Sequence, residues 1–172
     1  MNFTKIQAEH REWSAKNFPD QKAHHCLLGM IEEVGELAHA QLKLEQGIRV
    51  NEDHIEARKD AIADIALYLI GYCNYCNVEL TLPKRELENV YVNNKDITQS
   101  IFHLTLGVFN ITEEFDKYDC AKYIIQVLEC ICDNIKIGFE QNLLDTWKQV
   151  KQRDWTKNKN NGIVSAEGNV IV

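Results

Sequence analysis

Asp60-Ala61-Ile62-Ala63-Asp64-Ile65-Ala66-Leu67-Tyr68-Leu69-Ile70-Gly71-Tyr72-Cys73-Asn74-Tyr75-Cys76 decides the fold of this chain. From Ile65 to Cys76 no residue is charged. A helix that is apolar all round either lies inside a protein or spans a membrane. Spanning needs roughly 18 consecutive apolar residues, and no stretch of the chain reaches that length. The segment is therefore expected to be a buried helix of a helical bundle, with Asp60 and Asp64 at its mouth. No membrane partner is expected.

Helical periodicity extends outward on both sides of this segment, and no strand alternation stands out before the tail. Upstream, the pattern predicts helices over about Thr4 to Phe18 and, capped by Asp20, over about Gln21 to Gln46, with Gly47 as the stop. The central helix is expected to open at Asn51 or Asp53 and run to about Asn77. Downstream, Thr81-Leu82-Pro83 predicts a short helix. Asp96 and Asp119 are the expected caps of helices over about 97–117 and 120–138, and a last helix is expected over about 141–155. The fold class is all-α, with an antiparallel four-helix-bundle-like core.

Residues 1–157 are expected to form a single domain and residues 158–172 a flexible tail or small hairpin. Leu28-Gly29 before Glu32-Glu33 is echoed by Leu106-Gly107 before Glu113-Glu114. The echo suggests a duplicated helical hairpin, with a degenerate second repeat over about 97–155.

A chain of 172 residues is long enough for one real core. Its net charge of −7 argues against a nucleic-acid partner, which calls for a basic surface. The N-terminus is charged and no signal peptide is evident, so a cytoplasmic location is expected. Six cysteines include Cys73-x-x-Cys76 and Cys130-x-Cys132. Both pairs sit within apolar helical runs and are expected to be core thiols rather than a zinc site, which usually lies on a glycine-containing turn.

Two acidic clusters carry the chemistry: Glu32-Glu33-Val34-Gly35-Glu36, and Asp60 with Asp64. On a wheel, Leu27, Ile31, Val34, Ala38 and Leu42 share one face, while Glu33 and Glu36, three apart, can aim at one point. Glu56, Asp60 and Asp64, spaced by four, line one stripe that runs into Leu67 and Gly71. Unpaired buried carboxylates cost several kcal/mol each, of the order ~3–5, and like charges at i,i+4 repel. A hard cation removes both objections. Mg²⁺, with Mn²⁺ as a substitute, suits four carboxylates with open positions left for water and phosphate oxygens. A di-iron carboxylate site would require Glu-x-x-His pairs; Glu36 to His39 supplies one, with no counterpart in the other acid helix.

The chain resembles the MazG-like all-α nucleoside triphosphate pyrophosphohydrolases. The resemblance rests on residues 27–40, with Leu42-Lys43 and Gln46-Gly47-Ile48-Arg49, on residues 60–69, and on Trp147-Lys148-Gln149-Val150-Lys151-Gln152-Arg153-Asp154-Trp155. It implies an E-x-x-E at Glu33 and Glu36 and a further ligand at Asp64. The family's third ligand falls at Ala61 here, so Asp60, one residue earlier, is the implied replacement. It also implies Mg²⁺-dependent hydrolysis of a nucleoside triphosphate between the α and β phosphates, and a homodimer or homotetramer. Glu32 or Glu33 would orient the attacking water. Lys43, Lys59, Arg49 and Arg153 would neutralise pyrophosphate, and Trp13, Asn17, Phe18 and Trp155 would hold the base. The long segment from about Thr81 to Cys120 departs from compact family members and resembles the larger dimeric dUTPase-type ones. A non-catalytic helical interaction protein with a degenerate acid cluster is the alternative.

Overall fold

A computed structural model describes residues 3–80, 96–113 and 115–165. Among these residues the chain forms α1 (Phe3–Asn17), α2 (Ala23–Gln46), α3 (His54–Cys76), α4 (Ile97–Asn110), α5 (Lys117–Ile135) and α6 (Phe139–Val150). The fold is all-α, and no described helix is long and apolar enough to cross a membrane. The helix expected around Pro83 lies outside the described residues.

The uncharged run becomes the centre of the bundle. α3 packs against α1, α2, α5 and α6. Ile62, Ile65, Leu69 and Ile70 are fully buried within it. Four packed neighbours leave no solvent face for a charge, which is why the sequence carries none there. Leu104 on α4, Ile124, Ile125 and Leu128 on α5, and Leu143 on α6 complete the same core.

Local chemistry sets the helix ends. The Asp53 carboxylate accepts from Glu56 N at 3.0 Å and opens α3, while Gly47 closes α2 in the left-handed region at φ 62°. Asp96 caps α4 as expected, accepting from Thr98 N at 2.9 Å. Several ends differ from the sequence expectation. α2 starts at Ala23 after Lys22, whose backbone N–H donates to His25 Nδ1 at 3.1 Å, so Asp20 is not its cap. Asp116, not Asp119, caps α5; it accepts from Asp119 N at 3.0 Å. α4 stops at Asn110 and α6 at Val150, each several residues early.

Residues 158–163 turn back on the segment that follows α6. Asn158 is 2% exposed, and its amide donates to Asn161 Oδ1 at 2.6 Å and Ile163 O at 2.8 Å. Asp154 N donates to Gly162 O at 2.7 Å. Residues 166–172 lie outside the described residues.

α2–α3 and α4–α5 are two successive helical hairpins, the arrangement a duplication requires. Each has a glycine in its first helix beneath a tyrosine of its second. A Cβ on Gly29 would overlap the Tyr68 ring, and one on Gly107 would lie 2.9 Å from Ile124 and 3.1 Å from the Tyr123 ring. A polar chain that starts buried at Arg58 and ends at the surface also ties α2, α3 and α4: Arg58 Nη1 donates to Gln41 Oε1 (2.8 Å), Gln41 Nε2 to Glu45 Oε1 (2.7 Å), and Thr98 Oγ1 to the same oxygen (3.1 Å).

Gly29→Ala is expected to displace the Tyr68 ring and cost about 1–3 kcal/mol. At about 2–4 °C per kcal/mol for a chain of this size, thermal unfolding should fall by about 2–12 °C. The double change Gly29→Ala/Tyr68→Ala should lose less than the sum of the single changes; strict additivity would contradict the contact.

Candidate functional site

α2 and α3 form the tightest helix pair of the bundle, and this pairing brings the two acidic clusters together. Glu33 and Asp64 lie half-buried on facing helices, with Glu32, Glu36 and Asp60 exposed around them. Burial, followed by the charges of Asp64, Glu36, Glu32 and Asp60, pushes Glu33 up to about 8. Asp64 is pushed up to about 6 by burial and by Asp60, against the opposing pull of Arg153. Burial is the larger cause of both shifts, and the added repulsion places these carboxylates within electrostatic reach of one another. None of the five side chains makes a hydrogen bond or ion pair with the described residues.

The donor set is all hard oxygen, and Arg153 offsets only part of its negative charge, which fits a divalent cation such as Mg²⁺. Among the described residues, no three His, Cys, Asp or Glu side chains are already gathered tightly enough to grip an ion. The ligand atoms would therefore have to draw together, or water would have to complete the shell.

Tyr68 belongs to the site and was not singled out from the sequence. It stands one turn beyond Asp64 and covers Gly29, which is one turn before Glu33. Burial and then the charges of Glu33, Asp64 and Glu32 push its phenol up to about 12, so it stays a protonated donor beside the acids. The available signal was the pairing of Gly29, four before Glu33, with Tyr68, four after Asp64.

The other expected site residues divide into groups. Arg153 acts on Asp64 electrostatically and is brought to the site. Lys59 is bound to Glu56 at 2.9 Å and, with Asp60, lines a polar groove between α3 and α6. Lys43 lies seven residues from Glu36, about 10 Å along the axis, and is not among the charges acting on Glu33 or Asp64. Trp13 lies half-exposed in an aromatic cluster, edge-on to Phe18 at 5.6 Å and to Trp147 at 5.8 Å. Trp155 faces Phe18 at 6.0 Å.

Asn17 is buried, and both ends of its amide are bonded. It donates to Trp13 O at 2.9 Å and accepts from Trp155 N at 2.8 Å, so it ties α1 to the C-terminal segment. Lys16 reinforces this docking through Asp154 at 2.9 Å, and Trp13 Nε1 donates to Arg153 O at 3.2 Å. Hydrogen bonds from Thr156 and Lys16 hold Asp154 down to about 2. The effect is to pin Arg153 beside the acids. Cys26, Cys73 and Cys132 are buried thiols pushed up to about 11–12 by burial, an environment that makes thiols inert.

The class these features define is an all-α bundle with an unpaired carboxylate cluster between two adjacent helices. No family model matches the chain, and neither does any curated protein or solved structure.

The cluster has a pH signature. Glu33 has a folded pKa near 8 against an ordinary 4.5, and Asp64 near 6 against 3.8. The fold thus favours their protonated forms. Their contribution is fully present below the ordinary values and is lost as pH rises through the folded ones. Metal-free Glu33→Gln should therefore melt several degrees above the parent at about pH 8, with the gap closing towards pH 4.5. His10, pushed down to about 4 by burial, acts in the opposite sense and cancels in this difference. A gap that did not depend on pH would contradict the cluster.

Proposed function

We propose that this chain is a Mg²⁺-dependent nucleoside triphosphate pyrophosphohydrolase of the MazG-like kind, releasing nucleoside monophosphate and pyrophosphate. The observation carrying this reading is the clustering of acidic side chains across the α2–α3 pair, where Glu33 and Asp64 are half-buried and feel the charges of Glu36 and Asp60. These four would hold the ion, which when bound neutralises phosphate charge and acidifies a water.

The chain's own residues supply the rest. Glu32 is exposed beside Glu33 and takes the proton of the attacking water. The water oxygen bonds to the α phosphorus as the bond to the α–β bridging oxygen breaks, and pyrophosphate carries that electron pair away. Arg153, fixed by the Asn17–Trp155 and Trp13–Arg153 hydrogen bonds, offsets phosphate charge beside Asp64. Tyr68 donates to an oxygen at the same site. Trp13 and Trp155 offer aromatic faces for a base, each such contact worth about 0.5–1.5 kcal/mol beyond burial. We place the protein in the cytoplasm, where nucleotides and reduced thiols coexist.

A panel of canonical and modified nucleoside triphosphates with Mg²⁺, assayed for pyrophosphate release, tests this directly. At least one substrate should turn over. Glu36→Gln and Asp64→Asn should each cut the rate by about a hundredfold or more, as loss of several kcal/mol of charge stabilisation requires. Tyr68→Phe should lower it by about tenfold, the scale of one hydrogen bond. Absence of release from every triphosphate would favour the alternative, a helical interaction protein, for which the exposed apolar face of α4 is the supporting observation.

A further inference from the structure

The proposed reaction uses the groove between α3 and α6 only at its edge. The groove holds about 860 Å³, within the ~300–1,000 Å³ of a small-molecule site. Lys59 and Asp60 belong to its α3 wall, and Asp60 is one of the charges acting on Glu33 and Asp64, so the groove opens onto the acid cluster. Asn142, Thr146 and Gln149 form a stripe along its α6 wall, at helical spacings of four and three. The stripe runs for about 10 Å along the axis. Asn142 is held in place by donating to Lys59 O at 2.7 Å. The side chains of Thr146 and Gln149 bond to no other described residue.

We propose that this groove receives a neutral, polyhydroxylated group joined to the far phosphate of a nucleoside diphosphate, which makes a nucleoside diphosphate sugar the preferred substrate class. The assignment rests on the hydrolase reading above and deepens it. Charge favours it first. Apart from Asp60, which the ion would claim, the charged residues of the groove are Glu56, Asp145, Lys59 and Lys148. They cancel, and Lys59 is already bound to Glu56 at 2.9 Å. The dianionic end of a triphosphate gains no net compensation there, whereas a neutral group needs none.

The hydrogen-bonding groups favour the same occupant. Amides and a threonine hydroxyl both donate and accept, as sugar hydroxyls do. No aromatic side chain lines the groove, so a base finds no stacking face in it. Trp13 and Trp155 present theirs outside it. The stripe is also longer than one phosphate group requires. The bond broken is unchanged. The water oxygen bonds to the α phosphorus while Glu32 takes the water proton. The bond from the α phosphorus to the α–β bridging oxygen breaks, and a sugar phosphate leaves with that electron pair in place of pyrophosphate.

UDP-glucose, GDP-mannose and ADP-ribose, each assayed with Mg²⁺ beside the triphosphate of the same base, test this. At least one should show kcat/KM about tenfold or more above its triphosphate. Thr146→Val/Gln149→Leu removes the two unbonded polar groups and keeps their volume. It should raise the KM for that nucleotide sugar about tenfold, the scale of two hydrogen bonds, and leave triphosphate hydrolysis within about twofold. Saturation-transfer NMR on the unaltered chain needs no turnover: the sugar protons should receive saturation from the protein. Turnover of triphosphates but of no nucleotide sugar would overturn this assignment and leave the hydrolase reading standing. No turnover of any nucleotide would overturn both. Equal losses for both kinds of substrate in the double variant would place the nucleoside in the groove and overturn the assignment, as would sugar protons that receive no saturation.

Discussion

Repulsion between Glu33 and Asp64 across the α2–α3 contact is the constraint around which the rest of the structure is arranged. α3 is enclosed by four other helices, so a charge on it must either reach solvent at an edge or face a partner. Asp64 does neither fully. It looks across at Glu33 and raises that acid's proton affinity, while burial, Asp60 and Glu36 raise its own. An arrangement optimised only for stability would place a lysine or an apolar residue at one of these positions, because a buried like-charge pair is destabilising. Keeping both acids makes sense if something positive occupies the space between them.

The surroundings support the same site from two sides. Gly29 gives up its side chain so that Tyr68 can lie over α2 and bring its phenol to the acids. On the other side the chain turns after α6 and is tied down through Asn17, Lys16 and Trp13. These contacts join residues about 140 positions apart (sequence separations of 138 and 140) and set Arg153 within electrostatic reach of Asp64. The aromatic cluster of Trp13, Phe18, Trp147 and Trp155 packs the C-terminal segment against α1 and α6.

Much of this was legible in the sequence because it depends on local periodicity. The uncharged run from Ile65 to Cys76 could only be an enclosed helix, and Glu33 with Asp64 stood at its edge. Periodicity shows that a side chain is apolar, not which neighbour covers it. On α2, Val34 is buried, whereas Ile31 and Leu42, from the same face of the wheel, are 56% and 46% exposed. The partner helices cover only part of a broad apolar surface. The choice between Asp116 and Asp119 as a cap depended on where α4 ended, which no local pattern fixed. The structural bond of Asn17 to Trp155 N was not legible, because the two residues stand 138 positions apart and meet only on folding. Tyr68 was hidden for a related reason: its relation to Glu33 runs through a glycine on another helix.

Calorimetric titration of Mg²⁺ into the metal-free chain near pH 7, repeated in buffers of different ionisation enthalpy, tests the central claim most directly. Glu33, held near pKa 8, is largely protonated at that pH, and binding an ion there must expel its proton. Saturable binding with net proton release, lost in Glu33→Gln and Asp64→Asn, is the predicted result. Absence of binding, or binding without proton release that survives both changes, would contradict the account.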